Sequence, residues 1–252
     1  RALAFTLSLV MPWVGLGLVG VGQVAQRHPL QALHLLLAAQ GLALLVALSL
    51  VRFRIPVPPP SRERYPLYRL LLFVPAAFGQ TFTPGLDSLF LLCIPKEELG
   101  LELLALGGLL VLGGGAAFLL LPFTGRLVDR RGYQAALVLG LFLLALVMAR
   151  LGTGPHPYEV PAADLLGGLG FSLFLPGWNG LLAKNLPQEN RAAIWGSLMT
   201  VEGLGLALGP VAGGLLWEAF GLPAPFLAGS GIFLALSLFY LLLFRVRKLW
   251  RR

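Results

Sequence analysis

Gly125-Arg126-Leu127-Val128-Asp129-Arg130-Arg131-Gly132-Tyr133 is a short charged stretch, residues 125–133, set between two long apolar runs at 101–122 and 134–151. Each run approaches the roughly 20 residues that a helix needs to cross the hydrocarbon core of a bilayer. The charged stretch therefore reads as a tight loop joining two membrane helices, with Gly125 and Gly132 allowing the backbone to turn. If that reading holds, the rest of the chain must supply further spans and a consistent orientation.

Composition agrees. Of 252 residues, 57% are hydrophobic and only 12% charged, where a soluble domain carries about 25% charged residues. The chain reads as an all-α integral membrane protein. There are 19 Lys and Arg against 11 Asp and Glu, a basic balance that suits either nucleic acid or connectors facing anionic lipid. The cations gather in a few connectors and leave others almost bare, so the lipid bilayer is the expected partner and nucleic acid is not. Cys93 is the single cysteine; it forms no intramolecular disulfide and reads as a small apolar packer.

Windows of membrane-spanning length occur eight times, at about 3–25, 29–51, 67–92, 101–122, 134–151, 160–183, 192–220 and 223–244. Between the second and third lies the only long polar linker, 52–66, stiffened by Pro56, Pro58, Pro59 and Pro60. It divides the chain into residues 1–51, two helices of an incomplete bundle, and 67–252, a six-helix bundle with a basic tail. Counted over short connectors, sixteen of the 19 cations fall on the side of Arg1, the linker, the Gly125 stretch, Lys184, Arg191 and the tail. Only Arg27, Lys96 and Arg150 fall opposite. The positive-inside rule then puts the C-terminus in the cytoplasm, with the chain as a multi-pass protein of the cytoplasmic (inner) membrane.

A displacement of 190 positions lays Arg1-Ala2 on Arg191-Ala192, Gly15-Leu16 on Gly205-Leu206, Leu37-Ala38 on Leu227-Ala228 and Gly41 on Gly231. Many such matches arise by chance in a chain rich in Leu, Gly and Ala. The displacement itself is informative, because it equals six helices of about 32 residues with their connectors, the spacing of two parallel six-helix halves.

Two local patterns carry a family resemblance. The Gly125 stretch resembles the charged G-x-L-x-D-R-x-G loop of the major facilitator superfamily of secondary transporters. Gly205-Leu-Ala-Leu-Gly209-Pro210-Val-Ala-Gly213-Gly214 is similar to the glycine-proline pattern in the fifth helix of that family's antiporters, here in the equivalent helix of the second half. The first half keeps Gly15, Gly17, Gly20 and Gly22 without the proline. With the 52–66 linker taken as the family's central linker, the chain resembles helices five to twelve of a twelve-helix member whose first part is missing. The resemblance implies that the Gly125, Asp129, Arg130 and Gly132 loop acts as a gating latch, with Asp129 facing residues 1–5.

Other candidates come from the residues themselves. Carboxylates inside a membrane span are costly and so are functional candidates. Glu202, about eleven residues into the seventh span, is placed to bind and release a proton; a partnered acid at a helix interface is the competing reading. Asp87 follows Pro84-Gly85, a pair expected to unwind its helix and so to line a substrate site; its place nearer the outer side leaves a gate or simple exposure as equal readings. Asp164, one turn into its span, reads as interfacial. Gln80, His34, Gln40 and Asn179 are polar groups that can face a central cavity, although for His34 a satisfied core histidine is the simpler account. Trp178 and Asn179 follow Pro176-Gly177 in what reads as a broken helix suited to an amphipathic organic substrate; packing competes. Gly205, Gly209 and Gly213 share one helix face and permit close backbone approach, with Pro210 adding a break, so that packing and a hinge are both open readings.

Gly15-x-Gly17-x-x-Gly20 matches a dinucleotide fingerprint but lies inside an apolar span, which rules that reading out. No phosphate-binding loop, metal motif or nucleophile elbow is present in the sequence. The expectation is a secondary active transporter of a small organic solute, a proton-coupled efflux antiporter being the specific form, acting without a cofactor, as a monomer and not as an enzyme. Two other classes stand beside it: a non-transporting sensor, scaffold or inactive truncated transporter, and an intramembrane enzyme acting on lipid, which the scattered His28, His34 and His156 do not favour.

Overall fold

The computed structural model describes residues 71–97, 103–154, 156, 158–186 and 191–249, and isolated helical positions between 30 and 45. The first expected span, most of the second and the 52–66 linker lie outside the described residues. Among the described residues six long helices follow one another. They are α1 (Val74–Glu97), α2 (Leu103–Arg131), α3 (Tyr133–Gly152), α4 (Val160–Asn185), α5 (Arg191–Phe220) and α6 (Pro223–Leu249). Five stretches within α2 to α6 are long and apolar enough to cross a membrane. A helix of the 27 residues in α6 runs to about 40 Å, more than the hydrocarbon core requires.

The Gly125 stretch is not a loop. α2 continues through Arg131, and the whole connection to α3 is Gly132, at φ 92°. Helix persists because Arg126 to Arg131 holds no residue barred from it, and Arg130 and Arg131 in the last turn complement the negative end of the helix dipole. Gly132 then turns the chain at φ 92° and ψ 159°, a region open essentially to glycine alone, its N–H still donating to Val128 O at 2.9 Å. Gly154 (φ 70°) and Gly221 (φ 82°) turn the chain at the opposite end of the bundle.

Two further expectations are corrected. α1 runs without a break through Pro84-Gly85, and α4 through Pro176-Gly177. Each proline removes one backbone donor, but close packing of neighbouring helices holds the rest of the ladder in place.

Close backbone approach dominates the packing, as expected where no hydrophobic effect drives helices together within lipid. α5 lies on α1 with Gly209 against Gly85: a Cβ at Gly209 would stand 2.7 Å from Gly85 Cα and 2.6 Å from Phe82 O. α4 meets α3 the same way, a Cβ at Gly140 falling 2.5 Å from Phe174 N. It meets α2 with Gly168 against Ala117 and Gly113 O. α6 is tied to α3 by Ser237 Oγ donating to Val138 O (3.0 Å) and Ser230 Oγ to Ala145 O (2.8 Å). Tyr240 at its centre is fully buried and donates to Leu72 O at 2.9 Å, just before α1. The core gathers Phe73, Leu137, Leu141, Phe174, Trp178, Leu181 and Tyr240 where α1, α3, α4 and α6 meet. α6 is therefore the centre of the bundle, with α1 and α5 on one flank and α3, α4 and α2 on the other.

Candidate functional site

The α1–α5 interface brings together two residues 122 apart in sequence: Gln80 Nε2 donates to Glu202 Oε1 at 2.5 Å. From the next residue, Thr81 Oγ1 donates to the main-chain carbonyl of the same Glu202 at 2.7 Å. Both Gln80 and Glu202 are half-buried. The carboxyl is thus held by neutral donors within a membrane-length helix, and no cation pairs with it among the described residues. Such a group changes charge by exchanging a proton with no ion pair to break.

Immediately beyond Glu202 the glycine stripe fixes the spacing of the two helices. A Cβ at Gly205 would strike Thr81 Oγ1 and Phe78 O; one at Gly213 would strike Leu86 O. Pro210 lies 3.2 Å from the position a Cβ would take at Gly85. Gly205, Gly209 and Gly213 therefore all press on the face of α1 that follows the Gln80–Glu202 pair, and the sequence stripe is a packing surface that locks the pair's geometry.

Asp87 lies two turns from Gln80 on α1 and is 3% exposed; Thr83, between them, is fully buried. Asp87 Oδ1 and Thr83 Oγ1 have no hydrogen-bond partner among the described residues. Asp164 sits near the start of α4 against α2, where a Cβ at Gly113 would fall 2.5 Å from its Cγ, and its Oδ2 is without a hydrogen-bond partner among the described residues. It is half-buried, in the second turn of the helix.

The remaining candidates are not brought into this group. Trp178 is 2% exposed and stacks edge-on against Phe73 at 6.3 Å, inside the core, with Asn179 half-buried beside it. Asp129 and Arg130 are exposed at the Gly132 end of the bundle, and residues 1–5, the latch partner expected for Asp129, lie outside the described residues. His34 is exposed, and Gln40 lies outside the described residues. Sequence reasoning passed over Thr81 and Thr83. Their signal was spacing, one residue after Gln80 and four before Asp87, in a span that apolar length had already identified.

Comparison with known proteins follows the same lines. Residues 76–251 match the profile of the Major Facilitator Superfamily. The chain is 32% identical over 136 residues to the proton-coupled antiporter flippase LtaA of Staphylococcus epidermidis, covering 52% of this chain and 34% of that protein. It is 35% identical over 119 residues to the multidrug resistance protein MdtG of Salmonella arizonae, covering 46% of this chain and 29% of that protein. Each alignment thus takes in about a third of the relative's length.

Proposed function

The chain belongs to the Major Facilitator Superfamily, and on that premise we propose that it serves as a secondary active transporter that exports a small organic solute by alternating access, in exchange for protons. It is a multi-pass membrane protein, and its family is one of transporters, not enzymes. The observation that carries the proton-coupled reading is the Glu202–Gln80 pair: a carboxyl in a membrane-length helix, held by an amide across an interface of close glycine contacts. When the carboxyl takes a proton, Glu202 Oε1 becomes a weaker acceptor for Gln80. Protonation thereby alters the contact between α1 and α5 and biases the packing of the bundle.

An amphipathic solute is the substrate class this reading favours, consistent with the names of both relatives, a flippase and a multidrug resistance protein. In this reading the Gly132 end and the C-terminal tail face the cytoplasm, as the clustering of Arg126, Arg130, Arg131 and the tail cations requires. Residues 1–51 belong to one helical bundle, 52–66 link it to the second, and the protein acts as a monomer. Asp129 serves as the cytoplasmic latch.

Inside-out vesicles carrying a luminal pH-sensitive dye test this. Addition of ethidium, an amphipathic cation, or of a fluorescent phospholipid analogue to acid-loaded vesicles is expected to alkalinise the lumen as the probe is taken up. Vesicles that accumulate neither probe and release no protons, with the protein correctly inserted, would overturn it.

A further inference from the structure

Gln80, Thr83 and Asp87 recur at intervals of three and four on α1, so they fall within about 60° of one another around the helix and span about 10 Å along it. They form one polar stripe in a helix whose other buried positions on this length, Gly85 and Leu86, carry no polar side chain. At one end of the stripe Gln80 holds Glu202. At the other, nearer the Gly154 and Gly221 turns, Asp87 lies buried. Between them Pro84 removes an N–H, so the Gln80 main-chain carbonyl receives no helical bond from position 84.

The hydroxyl of Thr83 departs from the habit of the others in these helices. Thr81, Ser88, Thr124, Ser172 and Thr200 each donate to a carbonyl three or four residues back. Ser230 and Ser237 donate across to α3. Thr83 Oγ1 does neither, and Asp87 Oδ1, one turn on, is likewise without a protein partner among the described residues. A buried oxygen left so is a place where a bound water is favourable. Two such oxygens, Thr83 Oγ1 and Asp87 Oδ1, follow along the stripe from the Gln80 carbonyl, which lacks its helical donor at position 84.

The surroundings contain little else that titrates. Thr83 Cγ2 lies 2.8 Å from the position of a Cβ on Gly229, and Gly79 packs on Leu236, so α6 runs antiparallel to α1 and brings Pro225 level with Asp87. From Pro223 to Phe239 α6 holds no titratable side chain, and Tyr240 is engaged with Leu72. α3 brings Arg150, paired with Glu159; α4 brings Asp164, against Gly113 of α2. α5 brings Glu202 itself and an exposed Glu218.

We propose that Asp87, Thr83 and the Gln80 carbonyl form a water-bridged proton path along α1, joining Glu202 to the end of the bundle opposite Gly132. A proton taken up by the Asp87 carboxylate passes as hydronium charge along hydrogen-bonded water held by Thr83 and the Gln80 carbonyl, and protonates Glu202; the reverse transfer restores the Asp87 acid. No other reactant is consumed. Asp87 is a proton carrier in this path and Thr83 a positioning residue. The inference rests on proton coupling through Glu202 as proposed above, and the tests separate the two.

Infrared difference spectra of the purified protein between acid and alkaline pH read the path without any solute. The expected result is a carboxyl C=O band that D87N abolishes, that T83V shifts, and that moves in heavy water, with a separate band lost in E202Q. Absence of a band assignable to Asp87, or one that T83V leaves unshifted, or one that does not exchange, overturns the path. Ethidium movement in vesicles reads the coupling. D87N and T83V are expected to lose accumulation driven by a pH gradient and to keep exchange of ethidium at equal pH; retention of gradient-driven accumulation by both also overturns the path. A wild-type protein that neither accumulates nor exchanges ethidium or the lipid analogue overturns the transport reading, while the infrared result still decides whether the path exists.

Discussion

Gly213 and Gly214 are neighbours on α5 with opposite surroundings, so the same substitution is expected to act with opposite sign. A Cβ at position 213 would collide with Leu86 O and C of α1, which are main-chain atoms unable to rotate away. A Cβ at 214 meets nothing within 4 Å. Forcing an extra carbon into a close-packed contact costs about 1–3 kcal/mol, against which alanine gains about 1 kcal/mol over glycine in a helix interior. Gly213→Ala is therefore expected to lose up to about 2 kcal/mol net, and Gly214→Ala to gain about 1 kcal/mol. At about 2–4 °C per kcal/mol for a chain of this size, Gly213→Ala should melt up to about 8 °C lower and Gly214→Ala about 2–4 °C higher. The assay is the fraction of detergent-solubilised protein remaining monodisperse after heating, read by size-exclusion chromatography with tryptophan fluorescence. Equal melting of the two variants, or the reverse order, would refute the helix contact from which the Glu202 site takes its geometry.

Two more expectations concern the Gly132 end. Gly132→Ala places a Cβ at φ 92° and ψ 159°, where the surroundings are open but the backbone is not, and should cost about 1–3 kcal/mol from local strain alone, seen as a lower midpoint in the same heating assay. A midpoint unchanged from wild type would mean that the turn does not need its glycine. Asp129→Asn is expected to abolish transport in vesicles while the amount of inserted protein, measured by quantitative immunoblot, stays at the wild-type level; normal transport by that variant would remove the latch from the account.

Hydrophobic length made the described helices legible, because a bilayer demands about 20 apolar residues whatever the tertiary packing. The ends were less legible. The charged residues 125–131 looked like a loop since charge and span end coincide in composition, yet a helix may leave the apolar region and continue, and only Gly132 turns the chain. Pro84-Gly85 and Pro176-Gly177 looked like breaks because propensity counts one residue at a time, whereas here Gly209 against Gly85 and Leu137 against Gly177 clamp those turns from outside. Glu202 and Gln80 each stood out as a polar group in an apolar span, but their pairing across 122 residues depends on the parallel register of α1 and α5, which no local pattern encodes. Trp178, read beside Asn179 as a group able to meet a substrate, lies with Phe73 in the core, where a large apolar ring is what the meeting of four helices requires.

The most direct test of proton coupling compares wild type with Glu202→Gln in proteoliposomes, following ethidium under a pH gradient and again at equal pH on both sides. The glutamine keeps the shape and a hydrogen bond to Gln80 but carries no exchangeable charge. The account predicts that the variant loses gradient-driven accumulation and retains exchange at equal pH. Accumulation by the variant at the wild-type rate would contradict it and remove Glu202 as the coupling group.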